Sequence, residues 1–532
     1  MSGLWHTGGR TQLPGLLARD WDLLVIGGGI CGAGVLLEAA RRGLKALLVE
    51  QRDFAWGTSS RSSKLVHGGL RYLKDGHFAL TRESVREREA LLRDAPGLVE
   101  PQGFAFAHYT GGRGRRSFLA GLAVYDLFAG RRERHWLPAE DFLMLAPNVK
   151  RDGLEGGIVY LDAKTDDARL VLRVLREAQS HGAEAVNYLA ARALLRSADG
   201  RVEGARLECG MKGGGHAVRA RVVVDATGAW SGPLHGKGPR LRPLRGSHLV
   251  LPAWRLPLAQ AVSLMHPEDG RPVFAYPWEG ATLVGTTDLD HGEPMSMEAR
   301  ITRDEVDYLL AALRAQFPQL GLKHADILST YAGVRPVIAH ATAKGKAKPS
   351  SEGREHMVWS EPGLVAIAGG KLTTFRAIAL DALTEVRRQL PDWDAALEAH
   401  AIFAPAPALV RDQAPVSLLH RLRGRYGIDA AALLDAAGKQ ELDLIPGTDT
   451  AWAELRWAAR CEAVQHLDDL LLRRTRLGLL LPGGGAKHMA RIRAICQPEL
   501  GWSDADWERE EASYRTLWIN HYSLPQPYAD HA

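Results

Sequence analysis

Two clusters of residues in this sequence have types and spacings suited to chemistry. The first is Gly27-Gly28-Gly29-Ile30-Cys31-Gly32, with the carboxylate Glu50 further on. Gly27 permits a tight turn, Gly29 lets the main chain approach a pyrophosphate, and Gly32 lets a helix pack close to a strand. Open N–H groups at the start of that helix, with its dipole, attract a diphosphate. Glu50 is placed to accept from an adenosine ribose. This is a set for holding a dinucleotide, with NAD and FAD both open at this point. The second cluster is Thr58-Ser59-Ser60-Arg61-Ser62-Ser63-Lys64-Leu65-Val66-His67-Gly68-Gly69-Leu70-Arg71-Tyr72-Leu73. It is rich in hydroxyls and poor in core residues, and Gly68-Gly69 beside His67 and Arg71 suits close approach of the backbone to a polar ligand. A solvated linker is the alternative.

The elements that must position the first cluster are legible around it. The apolar run Asp22-Leu23-Leu24-Val25-Ile26 predicts a strand, the glycines a turn, the segment to Gly43 a helix, and Ala46-Leu47-Leu48-Val49 a second strand ending at Glu50. Strand, glycine turn, helix, strand and acid fall in order within one short unit.

A chain of 532 residues implies two or three domains, and 46% hydrophobic with 24% charged residues is ordinary for a soluble globular enzyme. A net charge of +5 suits an anionic substrate or membrane surface and falls short of a dedicated nucleic-acid binder. The four cysteines show neither paired nor zinc-ligand spacing, so a reducing cytosol and no metal are expected. No signal peptide and no spanning helix are expected.

Further along, residues 79–94 read as a charged amphipathic helix. The apolar stretch 118–128 is flanked by Arg113, Arg115, Arg116, Arg131, Arg132 and Arg134, with Trp136 beyond. Such a helix can lie on an anionic bilayer or be an ordinary buried helix with solvated arginines. Asp166 or Asp167 caps a helix ending near Gly182, and Arg221–Asp225 reads as a buried strand entering the turn Ala226-Thr227-Gly228. Residues 241–330 alternate in polarity, with a hairpin turning at Glu279-Gly280 and a capping box from Thr302 to Glu305. A further hairpin ends in Gly369-Gly370-Lys371-Leu372-Thr373-Thr374 before a helix to about Leu390. Residues 400–410 read as a linker. Beyond it the chain is helical, including one long helical stretch from Trp452 to Leu481 broken by Gly483-Gly484-Gly485.

Taken together these motifs resemble the FAD-dependent glycerol-3-phosphate dehydrogenases of the aerobic, quinone-reducing kind. The resemblance rests on residues 58–73, Gly246-Ser247-His248, Gly285-Thr286-Thr287-Asp288, Gly333-Val334-Arg335-Pro336 and Gly370-Lys371-Leu372-Thr373-Thr374, with Arg473-Arg474-Thr475-Arg476-Leu477-Gly478 as a weaker C-terminal match. It implies an α/β fold: a Rossmann-like FAD-binding domain (21–240 and 331–395), an inserted antiparallel-sheet substrate domain (241–330) as in D-amino-acid-oxidase-like flavoproteins, and an all-α C-terminal domain (405–532). Residues 1–20 have no assigned role. The three glycine turns at strand ends, at 27–34, 225–228 and 369–370, fit FAD better than NAD, which needs one.

The implied activity is oxidation of sn-glycerol 3-phosphate to dihydroxyacetone phosphate, with electrons passed to a membrane quinone. A related FAD-dependent oxidase or dehydrogenase of another small 2-hydroxy acid or amine is the rival reading. The implied cofactor contacts are Gly27, Gly28, Gly29, Ile30, Cys31, Gly32 and Glu50; Thr58, Ser59, Ser60, Ser62, Ser63, Lys64, Leu65, His67 and Gly68; Thr227 and Gly228; and Gly370, Lys371, Leu372 and Thr373. Arg71, Tyr72, His248, Arg335, Arg354 and Lys371 are implied at the substrate, the arginines because a guanidinium binds phosphate bidentately. His248, His67, Lys371 and Arg335 are the catalytic candidates, the histidines for proton transfer. Cys31 stands where relatives often carry Thr or Asn, and Gly353 precedes Arg354 where Ser is common. The implied location is the cytoplasm, peripherally at the inner face of the membrane, with no nucleic-acid partner and a homodimer left open.

Overall fold

The structure, a computed structural model, describes residues 3–70, 73, 76–111, 115–130, 132–211, 213–231, 239–339, 356–410 and 414–526. Arg71, Tyr72, Arg113, Arg131, Arg354 and the stretch 340–353 lie outside the described residues.

A mixed sheet with a parallel centre and Met357–Glu361 antiparallel at its edge forms the first layer. Its strand order is Met357–Glu361, Leu364–Ala368, Gly215–Asp225, Trp21–Ile26, Ala46–Val49, Glu184–Val186. The inner stretches of the central strands are apolar and covered on both sides, so Leu23, Leu24, Val25 and Leu47 lose all solvent contact. Helices Ile30–Ala40, Asp167–Ser180 and Phe375–Gln389 form one layer over the sheet, the first packed against both others. Asp166 caps the second of them through Arg169 N at 3.3 Å. A Cβ on Gly34 would stand 2.8 Å from the Phe375 ring, so the glycine sets how closely two of these helices approach.

A second, ten-stranded sheet is mostly antiparallel. Leu241–Pro252 lies between Ala281–Gly285 and Ser329–Ile338, which aligns His248 with Gly285 on one side and with Tyr331 on the other. The hairpin at Glu279-Gly280 and the Thr302–Glu305 capping box form as the sequence predicts. The sheet is not confined to 241–330, however. Val99–Tyr109 and Leu154–Thr165 extend it, with Leu65–Val66 at the edge. These strands escaped the sequence reading because Gly103, Gly156, Gly157 and several charges interrupt their alternation.

The C-terminal part is helical, but Trp452–Leu481 is not one long stretch of helix. A helix ends at Cys461, a π-helical turn covers Asp469–Arg474, and Arg476 adopts φ +62° before the short helix Leu477–Leu480. Tertiary ion pairs override helical propensity here. Arg169 pairs with Glu462, Arg473 and Arg474 with Asp53, and Arg476 with Asp166 and Asp167, all buried. Each such charge requires a close partner to be tolerated away from water.

Residues 3–20 are wedged between these parts. Trp5 is buried, its ring 5.1 Å from that of Phe54, and its indole donates to the Ala185 carbonyl at 2.8 Å. Its own carbonyl accepts from Ala463 N, while the Thr7 hydroxyl donates to the carbonyl of Glu499.

Candidate functional site

A cavity of about 390 Å³ opens at the carboxyl ends of the parallel strands, within the range for small-molecule and cofactor sites. One wall is the first glycine turn. Gly27 has φ +114°, and a Cβ on Gly32 would stand 1.9 Å from the Gly27 carbonyl oxygen, so the helix starting at Ile30 sits directly on the turn. Ser59 Oγ accepts from Ile30 N at 3.0 Å. Both Glu50 oxygens are engaged, one by Gly28 N at 2.7 Å and the other by Arg52 N at 2.9 Å. Burial raises the pKa of Glu50 above the usual carboxylate value.

The other two turns close the cavity. Asp225 Oδ1 accepts from Thr227 N at 3.0 Å and from its hydroxyl at 2.6 Å, fixing the Thr227-Gly228 bend. Gly370, at φ +111°, faces Cys31, whose Sγ would be 3.3 Å from a Cβ added there. Four residues separate Gly370 from the helix Phe375–Gln389, so this turn leads into the helix through Lys371–Thr374 rather than starting it.

Of the residues expected at a cofactor, Gly27, Gly29, Ile30, Cys31, Glu50, Thr58, Ser59, Ser62, Thr227, Gly228, Gly370, Lys371 and Leu372 line the cavity. Gly28 lies in the first glycine turn and Gly32 in the helix that follows it, both outside that lining. Side chains in the 58–68 run also face other partners. Lys64 Nζ is fully buried and donates to Asp167 Oδ1 at 3.0 Å and Ser60 O at 2.9 Å. Burial, with Arg476 adding repulsion, lowers the pKa of Lys64 to about 8. Leu65 is in the edge strand, and Gly68 N donates to Tyr125 OH at 2.7 Å and Asp162 at 3.0 Å. The Thr373 hydroxyl donates to the His67 carbonyl at 3.4 Å, joining the third turn to the end of this run. Trp56, Arg192, Trp230 and Pro336 also line the cavity and were not expected from sequence. Trp56 and Trp230 carried a readable signal, as large aromatics inside otherwise polar, glycine-rich bends.

His248 is buried in the antiparallel sheet beside Ser62–Lys64. Its Nε2 lies 2.9 Å from Ser63 Oγ, and its ring stacks on Tyr331 with centroids 4.6 Å apart and planes 8° apart. Space for the imidazole exists because residue 285 is glycine, where a Cβ would stand 2.1 Å from the ring. Burial, then the positive charges of Lys64 and Arg335, holds its pKa well below 6.5, so the ring is neutral near pH 7. Arg335 Nη2 donates to Asp288 Oδ1 at 2.8 Å and Thr287 O at 3.3 Å, and 26% of the Arg335 side chain remains exposed.

These features fit a flavin dinucleotide. A Cβ at Gly27, Gly32 or Gly370 would collide with neighbouring protein atoms, so the walls close this tightly only with glycine there, and polar groups converge on the cavity from three turns.

Comparison with known proteins gives the same direction. A family model described as FAD dependent oxidoreductase matches residues 22–376, and one described as the C-terminal domain of alpha-glycerophosphate oxidase matches 384–507. The aerobic glycerol-3-phosphate dehydrogenase of Bacillus subtilis is 41% identical over 72% of this chain and 69% of its own. Glycerol-3-phosphate dehydrogenase 2 of Mycobacterium tuberculosis is 37% identical over 93% of this chain and 88% of its own. Among solved structures, glycerol-3-phosphate dehydrogenase from Bacillus halodurans, complexed with FAD, superposes with a TM-score of 0.77 at 28% identity, covering 96% of this chain and 97% of that one.

Proposed function

Because the chain belongs to the FAD-dependent oxidoreductases, in the glycerol-3-phosphate dehydrogenase family, we propose a division of labour among its residues for oxidising sn-glycerol 3-phosphate to dihydroxyacetone phosphate. The protein is an FAD-dependent glycerol-3-phosphate dehydrogenase. Bound FAD supplies the chemistry of accepting the hydride from carbon 2.

The observation that carries the assignment of roles is the neutral, buried His248 held between Ser63 and Tyr331 beside the cavity. A neutral imidazole offers one nitrogen lone pair, so His248 takes the proton of the carbon-2 hydroxyl as the hydride leaves. Ser63 and the Tyr331 ring fix where that nitrogen lies. Arg335, pinned on one side by Asp288, presents its exposed part to the phosphate, joined by Arg71 and Arg354. Lys371, in the cavity wall, stands near the developing carbonyl, and Tyr72 and His67 complete the substrate side. The first glycine turn and Glu50 hold the adenosine and diphosphate, Thr58 to Gly68 the rest of the cofactor's near face, and Thr227-Gly228 and Gly370–Thr373 its far side. Holding the carbon within about 3–3.5 Å of its acceptor would carry much of the catalysis.

We assign the electron acceptor as a membrane quinone and the location as the cytoplasmic membrane face. Leu127 in the helix Arg115–Ala129 and Met144 in the helix Ala139–Leu145, 75% and 83% exposed, support a surface that meets lipid. No helix among the described residues is long and apolar enough to cross a membrane. Sedimentation with anionic liposomes at low salt tests this part, and protein left in the supernatant would remove it. The activity is tested by anaerobic addition of glycerol 3-phosphate to the purified yellow protein. Bleaching of the flavin absorbance is expected, and an unchanged spectrum with a competent cofactor would reject the assignment.

A further inference from the structure

The cavity wall at Ser62–Lys64 is anchored from behind by a carboxylate. Asp167 Oδ2 accepts from Ser62 N at 3.0 Å and Ser62 Oγ at 2.7 Å, while its Oδ1 accepts from Lys64 Nζ. In front, Tyr331 OH donates to the Ser62 carbonyl at 2.9 Å and Tyr276 OH donates to the Ser63 carbonyl. The same Tyr331 stacks on His248, and Ser63 Oγ touches its Nε2. Ser62 itself lines the cavity. These three residues thus set both the wall of the cofactor site and the place of the imidazole.

The carboxylate is in turn held from far along the chain. Arg476, 1% exposed, donates from Nη2 to Asp167 Oδ1 and from Nε to Asp166 Oδ1 at 2.9 Å. Its Nη1 donates to the Leu472 carbonyl at 2.7 Å, and its backbone takes φ +62°. An αL conformation at a non-glycine residue costs free energy and persists where its surroundings require it. Here the unusual backbone brings one guanidinium across two neighbouring carboxylates.

We infer that Arg476 of the C-terminal helices is a positioning residue for the oxidation, fixing Ser62, Ser63 and through them His248 by bridging Asp166 and Asp167. The inference rests on the roles of Ser62 and His248 proposed above. It gives the C-terminal helices a part in the reaction itself, beyond packing. The buried pair Arg169–Glu462 joins the same helices to the same region without touching the 62–64 wall, so it serves as the internal control.

The test compares the FAD-loaded full chain with R476K, R476M and E462Q. Lysine keeps the charge but offers a single point where arginine offers a planar fork, so it cannot span both carboxylates. R476K is expected to slow the limiting rate of anaerobic flavin reduction by about tenfold, a loss of the size a sub-ångström misplacement brings. Half-saturation by glycerol 3-phosphate should change less than about threefold. Hydrogen exchange at the Ser62–Val66 amides should speed up in parallel. E462Q should leave both near wild type, and R476M should exceed R476K in both. Wild-type reduction and wild-type exchange in R476K would overturn the inference, as would equal effects in E462Q. If R476M cannot hold FAD, R476K decides. If the wild-type protein is not reduced by glycerol 3-phosphate, the proposed function fails separately, and exchange at Ser62–Val66 in R476K against E462Q decides the relay alone.

Discussion

Replacing Gly285 by alanine tests the placement of His248 without altering the histidine. The added Cβ would stand 2.1 Å from His248 Cδ2, so the ring must retreat by about 1.3 Å to reach the 3.4 Å of ordinary contact. The retreat is blocked on the Tyr331 side, where the rings already stack at 4.6 Å. The remaining path carries Nε2 away from Ser63 Oγ, and a 2.9 Å hydrogen bond lengthened on that scale is lost. A misplacement of about 1 Å can cost about 100-fold in rate, equivalent to about 2.7 kcal/mol on the barrier. The fold should survive, since forcing a methyl into a packed core costs roughly 1–3 kcal/mol. The assay is anaerobic stopped flow at saturating glycerol 3-phosphate, with FAD content measured on the same sample. The expected G285A protein is yellow, binds substrate and reduces its flavin about 100-fold more slowly. Reduction within threefold of wild type in a fully loaded G285A sample would refute the reasoning, because the imidazole could then be displaced without consequence.

Gly32→Ala places a methyl 1.9 Å from the Gly27 carbonyl and should yield protein that elutes colourless from gel filtration; a retained yellow colour would show that the turn adjusts. Asp53→Asn removes the carboxylate between the buried guanidinia of Arg473 and Arg474 and should destabilise by about 3–5 kcal/mol, read as a lowered urea midpoint with faster tryptic release of the C-terminal helices. Glu510→Gln removes the carboxylate whose hydrogen bond raises His466 to about 9. The folded value lies above the ordinary 6.5, so this pair stabilises fully below pH 6.5 and loses its effect as pH rises through 9. The stability gap between wild type and E510Q should therefore be widest near pH 6 and closed by pH 10, and a gap independent of pH would count against it.

The nucleotide-binding unit was legible in the sequence because its rules are local. A run of apolar residues buried on both faces, glycines at sterically closed positions and an acid at the next strand end all lie within thirty residues of one another. Thr58, Ser59 and Ser62 at the cavity were legible from composition, because hydroxyls followed by Gly68-Gly69 beside His67 suit close approach to a polar ligand. What escaped was set by distant partners. Lys64 reads as a ligand contact in sequence, and only the fold shows Asp167 claiming its ammonium. Arg335 reads as a phosphate contact in sequence, and only the fold shows that Asp288 is its ion-pair partner. The helical periodicity of 452–481 is real, but three arginines drawn into buried carboxylates break it, and no local pattern encodes where those carboxylates stand.

The wedge made by the opening residues bears on how the molecule is built in time. Thr7 bonds to a carbonyl 492 positions later, and Trp5 to the amide of Ala463. At synthesis rates of about 5–20 residues per second, the first segment waits on the order of half a minute to a minute and a half for its counterparts to leave the ribosome. Trp5, bound for an interior position, spends that interval without its seat. A segment made long before its partners is therefore among the last to settle.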